Sequence, residues 1–183
     1  MKADGDPEVV SPSNIRKASR LGQFSGPTGG LALGKAQANL VILPHEAAFE
    51  FLVFCQRNPK PCPVIDVTDP GDPEPKQTAK GADIRTDLPR YRVYKKGQLV
   101  DEPTDVLSYW RADLVAFLIG CSFTFEYAML SAGLPLNHHT ESRNVPMYIT
   151  NIQCMPSGRF SGPMVASMRP MPAKKAVKAV EVT

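Results

Sequence analysis

The sequence predicts an α/β fold: a layered mixed sheet with helices, plus a smaller inserted α+β subdomain. Three observations predict it. Apolar runs of strand length, such as Leu40-Val41-Ile42-Leu43, alternate with segments patterned as helices, as expected of stacked sheet and helix layers. The 18 prolines fall largely at the boundaries of these runs, which points to short elements joined by ordered loops. A Pro- and Gly-rich connection over 69–81 interrupts the alternation and marks the start of an insertion. With 183 residues, 43% of them hydrophobic and 21% charged, the chain can bury a core of its own.

The elements follow in order. Residues 1–13, polar and carrying Pro7 and Pro12, are expected as a flexible leader. The main domain opens over 14–68. It begins with a short helix at 14–21, then a glycine-rich loop at 22–34 and a buried strand at 40–43. The segment 45–57 (HEAAFEFLVFCQR) is the clearest helix, entered at Pro44 and stopped by Asn58-Pro59. It is apolar nearly all round, which predicts burial between two layers. A strand at 62–67 closes this part. Residues 69–145 are expected as the inserted subdomain. It would hold a β-hairpin at 91–100 turning on Lys95-Lys96-Gly97 and two helices, at 107–119 and 123–132, the second stopped by Gly133. The chain then returns to the main domain over 146–183, with strands at 145–149 and 164–168 and a helix at 173–180. Residues 181–183 read as the start of a further strand, left incomplete.

Composition narrows the function. Twenty-one Lys and Arg against 18 Asp and Glu give a net charge of +3, too small to signal nucleic acid. The cluster Lys174-Lys175 with Lys178 reads as a solvated helix face. Cys55, Cys62, Cys121 and Cys154 show no C-x-x-C spacing, so neither a zinc knuckle nor a redox pair is indicated. No signal-peptide pattern and no apolar run of membrane-spanning length is present, so the expectation is a cytoplasmic protein with reduced thiols and no membrane partner. No dinucleotide fingerprint, flavin motif or metal-ligand set appears, so no cofactor and no metal is expected. A homo-oligomer stays open.

The richest chemistry lies in Gly120-Cys121-Ser122-Phe123-Thr124-Phe125-Glu126, directly after the apolar run at 114–119. A thiol, a hydroxyl and a carboxyl group follow a core segment. Phe123, Phe125 and the run give Glu126 a dry setting in which a carboxyl group holds its proton longer and can act as an acid. Cys121 is a candidate acyl-accepting nucleophile; the alternatives are that Cys121 is a small core residue and Glu126 faces water. The loop at 22–34 lets backbone approach a ligand, and Gly26, Thr28, Gly29 and Gly30 could cradle a carboxylate; a tight structural loop is the other reading. Gln37 and Asn39 would bind the same ligand or tie down the loop. Arg85 and Arg90 could clamp a carboxylate, with Asp87 as a nearby base; a salt-bridged turn explains the same residues. His138 is a candidate for proton transfer, although the pair His138-His139 also suits a solvent-facing loop. Arg169, after a strand, is a possible anion contact at a strand's carboxyl end.

Several of these segments together carry a resemblance. They are GPTGGLA (26–32), QANLVILP (37–44), FCQRNPKPCP (54–63), DIRTDLPRY (83–91), GCSFTFE (120–126), NVPMY (144–148) and SMRP (167–170). The chain resembles, over residues 20–170, the hydro-lyase family that includes the D-glutamate cyclases. The resemblance implies an α/β fold with a smaller inserted domain and, for the cyclase branch, conversion of D-glutamate to 5-oxo-D-proline and water. It implies a small carboxylate or amino-acid substrate. The rival expectation is a non-catalytic carboxylate-binding module, or a shortened subunit that needs a partner to complete its site. Two departures bear on this. The family pattern has a basic residue before the histidine at Asn137-His138 and another after the tyrosine at Tyr148-Ile149, where this chain has Asn137 and Ile149. Family members also continue past the equivalent of Thr183, so the chain looks C-terminally shortened.

Overall fold

The structure, a computed structural model, describes residues 10–140 and 144–183, with the side chains of His139 and Thr140 left out. The first nine residues of the expected leader lie outside the described residues. Its remainder does not form a leader: Ser11 caps helix α1 (Pro12–Arg20), its hydroxyl accepting from the Asn14 amide at 3.3 Å, with Pro12 at the first helical position. Strand β1 (Ala38–Pro44) runs directly into helix α2 (His45–Arg57). Strand β2 (Val64–Val67), the hairpin β3 (Val93–Lys95) and β4 (Gln98–Asp101), and strand β5 (Leu114–Gly120) follow. Two short helices, α3 (Glu126–Ser131) and α4 (Asn137–Thr140), precede a second hairpin, β6 (Met147–Gln153) and β7 (Pro163–Ser167). Helix α5 (Ala173–Val182) comes last.

The layered α/β class holds, with one refinement. The sheet expected to be mixed has order β1-β5-β2 and is antiparallel in both pairings. Strands β1 and β2 therefore run the same way on either side of β5, linked through α2. The segment 69–145, expected as an insertion, supplies both the β3–β4 hairpin and the central strand β5.

That central strand corrects the helix expected over 107–119. Only Leu107–Tyr109 forms a single 3-10 turn, and Leu114–Gly120 is extended. A strand buried on both faces shows no alternation, so an apolar run of this length looks the same as a buried helix. Val115, Phe117 and Ile119 point towards α2 and pack on Ala48, Phe51 and Cys55. Phe51 meets Phe117 edge to face, with ring centres 4.9 Å apart and planes at 82°. Helix α2 is covered on one side only: Phe49 is 74% exposed and Leu52 40%, contrary to the expected burial between layers. Its second face meets no further layer among the described residues.

A smaller cluster, Met129, Leu134 and Leu136, packs against Phe125, Ala179 and Val182. This contact, with Lys178 donating to the Ala132 carbonyl at 2.8 Å, carries α5 through Val182 in place of the strand expected at 181–183.

Candidate active site

Strand β5 ends at Gly120, where a Cβ would stand 3.1 Å from the Pro63 ring, so a side chain here would press on the chain entering β2. Cys121 then continues extended and starts a 3-10 turn, Ser122–Phe125, that rotates Glu126 inward as the first residue of α3. The glycine-rich loop is fixed against this turn. The Gln37 side chain donates to the Thr28 carbonyl at 3.0 Å and accepts from the Gly30 amide at 3.3 Å. Its backbone amide donates to the Thr124 hydroxyl, and its carbonyl accepts from the Cys121 amide. At Gly29 a Cβ would approach the Phe123 ring to 3.2 Å, so the loop lies close on that ring and a side chain there would crowd it.

Glu126 is 1% exposed and is the centre of a hydrogen-bonded cluster. Its Oε1 lies 2.8 Å from His138 Nε2, on α4, and accepts from Arg169 Nε at 2.9 Å and Nη2 at 2.5 Å. Arg169, two residues beyond the end of β7, has a side chain only 8% exposed. Its Nη1 donates to the Ser167 hydroxyl at 2.9 Å and its Nη2 to the Ser122 hydroxyl at 3.0 Å, while the two hydroxyls lie 3.1 Å apart. The guanidinium carbon sits 4.8 Å from the centre of the Phe125 ring. A carboxylate, an imidazole, a guanidinium and two hydroxyls thus converge beyond the carboxyl ends of β5 and β7. Burial strengthens each of these contacts, since the local dielectric is low. A permanent cation balances the carboxylate, and the adjoining imidazole can accept or release a proton.

Three residues named from the sequence, Glu126, His138 and Arg169, meet here, across 43 residues of chain between the first and last. His138 is 7% exposed, in a helical turn and not in a solvent-facing loop. The His139 side chain lies outside the described residues. Gly26, Thr28, Gly29, Gly30 and Gln37 belong to the loop beside the same turn. Cys121 borders the turn as well, and among the described residues no base is hydrogen-bonded to its thiol. Asn39 stands on β1 opposite Ile119, exposed, with no side-chain hydrogen bond among the described residues.

The 83–91 segment is organised differently. Asp87, 4% exposed, accepts from Arg20 Nε at 2.8 Å and from the Asp83 amide at 2.9 Å, and lies 3.7 Å from Arg16. It anchors α1. Arg85 forms a fork with its own neighbour Asp83, at 2.9 and 2.7 Å, and this hydrogen bonding holds the Asp83 carboxyl below the usual aspartate range. Arg90 is exposed, with no partner among the described residues. The salt-bridged turn is therefore what these side chains build.

Sequence reasoning passed over Ser122 and Ser167 as site residues. Both lay inside quoted motifs, but a serine carries no signal of its own until its partner is known. Among the described residues no three His, Cys, Asp or Glu side chains converge so as to hold a metal ion. Among the described residues no helix is long and apolar enough to cross a membrane.

This geometry can be set beside known proteins. A family model described as D-glutamate cyclase matches residues 115–183, the part that contains Ser122, Glu126, His138, Ser167 and Arg169. A protein of Bacillus licheniformis named "Putative hydro-lyase" is 63% identical over 174 residues, covering 95% of this chain and 66% of that one. Proteins of the same name from Rubrobacter xylanophilus and Bacillus pumilus are 61% and 54% identical, covering 66% and 67% of those chains. The chain belongs to this hydro-lyase family. It spans about two thirds, 66% in most cases, of the length of the curated relatives it matches.

Proposed function

We propose that the protein is a hydro-lyase that closes D-glutamate to 5-oxo-D-proline with loss of water. The observation that carries this reading is the buried cluster of Glu126, His138 and Arg169 within the segment similar to D-glutamate cyclase. Ring closure forms a bond from nitrogen to the side-chain carboxyl carbon and breaks one carbon–oxygen bond. The α-ammonium gives up two of its three protons, and the departing carboxylate oxygen takes up two to leave as water. The His138–Glu126 pair carries them in two successive transfers, His138 taking each proton from nitrogen and the pair passing it to the departing oxygen. Arg169 supplies positive charge beside the carboxyl oxygens as negative charge builds on them. The reaction is redox-neutral and calls for no electron carrier.

The test is NMR of the purified chain with D-glutamate and, separately, L-glutamate. The expected result is 5-oxoproline from the D isomer alone, with its rate lost in Glu126→Gln although that variant stays folded. A folded chain that yields no product from either isomer, or a Glu126→Gln protein that cyclises at the parent rate, overturns the reading. One observation favours a second reading, a small-carboxylate-binding module or a subunit that completes its site with a partner chain. Glu126 and Arg169 already satisfy each other in a nearly sealed pair. That protein would gain thermal stability from a carboxylate without consuming it.

A further inference from the structure

The cluster holds more hydrogen-bond donors than its own acceptors use. A guanidinium has five N–H donors and no acceptor. Arg169 directs its Nε hydrogen and one Nη2 hydrogen to Glu126, its second Nη2 hydrogen to Ser122, and one Nη1 hydrogen to Ser167. The second Nη1 hydrogen has no acceptor among the described residues, on a side chain that is more than nine-tenths buried. The serines give the same result. Each hydroxyl oxygen already accepts from Arg169, and the 3.1 Å contact between them consumes one of their two hydrogens. One O–H is therefore left over. Both serines are half-buried and not sealed in the core.

Two donors are thus unused side by side, one of them on a cation. We infer that the Nη1 edge of Arg169 and the Ser122–Ser167 hydroxyl pair form a subsite for a group that only accepts hydrogen bonds, a carboxylate of the substrate. An ammonium would bring further donors and like charge, and a carboxamide would offer one acceptor oxygen and no negative charge. The subsite thus sets which end of an amino acid faces Arg169. It deepens the proposed reading and rests on it for the identity of the substrate.

Glutarate, which has both carboxylates and no amine, is the probe. Calorimetric titration of wild type, Ser122→Ala, Ser167→Ala and the double variant tests the inference, with glutaramide as the uncharged control. Wild type is expected to bind glutarate and not glutaramide. The double variant is expected to lose about tenfold or more in affinity, the usual scale for a hydrogen bond to a charged group. The single losses multiplied together should fall short of the double loss. Removing either serine frees its neighbour's hydrogen to donate to the ligand, a pattern that a merely structural role would not give. Equal affinity in wild type and double variant, or no glutarate binding by wild type, overturns the subsite. Turnover of D-glutamate with an unchanged KM in the double variant sinks the subsite and leaves the cyclase reading standing. Serine-dependent glutarate binding without any turnover does the reverse.

Discussion

Replacing Arg169 with Met removes the guanidinium while keeping much of its apolar bulk. It takes the Arg169 charge away from the Glu126 carboxylate, which is 1% exposed and also bonded to His138. Two charge-assisted hydrogen bonds, at 2.9 and 2.5 Å, disappear together. Breaking a buried pair from one side costs about 3–5 kcal/mol, because the surviving charge loses the partner that offset its desolvation. For a chain of this size each kcal/mol moves the melting temperature by about 2–4 °C, so the fall should be roughly 6–20 °C. The double variant Glu126→Gln with Arg169→Met removes both charges and should recover most of that loss, since a neutral replacement of a buried pair is often close to neutral in stability. Acidity provides a second readout. A carboxyl group deprived of its cation escapes the burial cost only by taking a proton, so the deficit of Arg169→Met should shrink as pH falls and widen as pH rises. Thermal melts of wild type, both single variants and the double variant at several pH values complete the cycle. Additive losses, or a melting temperature for Arg169→Met within about 2 °C of wild type, would show that the pair is not sealed from water. The subsite argued from Arg169 would fall with it.

The other predictions concern groups away from the cluster. Arg85 lowers the Asp83 carboxyl through their paired hydrogen bonds. A lowered carboxyl adds stability above its ordinary value of 3.8 and loses it as pH falls through the folded value. With both side chains about a third exposed, Arg85→Ala should cost only about 0–1 kcal/mol near neutrality. The difference should vanish in acid; urea melts at neutral and acid pH would show it, and a cost that persists in acid would contradict it. Burial, and then the neighbouring Cys62, raise the Cys55 thiol from 9.0 to about 11. Its thiolate population at a given pH near neutrality is then about a hundredfold smaller, and alkylation in the native protein should be slower by at least that factor than in urea. Peptide mass spectrometry after timed iodoacetamide treatment measures this. Equal rates in the two states would mean that Cys55 is not in the core.

Much of the fold was legible because local chemistry decided it. The bounds of α2 follow from Pro44 before it and Asn58-Pro59 after it, and the β3–β4 hairpin follows from Lys96-Gly97, both of which adopt positive φ. Strand β5 was not legible as a strand. All seven of its residues are buried or half-buried, so the alternation that marks a strand is erased. The site divides in the same way. Glu126 stood out because a carboxyl group beside two phenylalanines after an apolar run must be either exposed or paired. His138 and Arg169 were each singled out on separate grounds, but they come 12 and 43 residues later, and no local pattern ties them to it. Arg85 and Asp87 carried two readings, a carboxylate clamp and a salt-bridged turn. Charges packed closely in sequence usually satisfy one another, as Arg85 does with Asp83 two residues away.

The position of Arg169 limits what a loss of activity can mean. The strands of its hairpin, β6–β7, are largely exposed, with Ile149 at 77% and Val165 at 54%, and apolar packing reaches the body through Phe160 in the connecting loop, which lies on Phe51 and Phe54. Polar contacts fasten the two ends. At one end the buried Asn58 donates to the Met155 carbonyl and accepts from the Met155 amide, both at 2.8 Å, and Glu50 accepts from Arg159 at 3.0 Å. At the other end the fastening is the Glu126–Arg169 pair itself, with Ser122 and Ser167. The groups proposed to do the chemistry therefore also hold the hairpin in place. A truncation such as Glu126→Ala would remove an acid and loosen the hairpin together, and an inactive protein would say nothing about which mattered. Glu126→Gln separates the two, because the amide oxygen still accepts from Arg169 while the group can no longer carry a proton in transfer. A Glu126→Gln protein that keeps affinity for glutarate while its kcat collapses would assign Glu126 to the chemistry. Loss of both together would assign it to the architecture that positions Arg169.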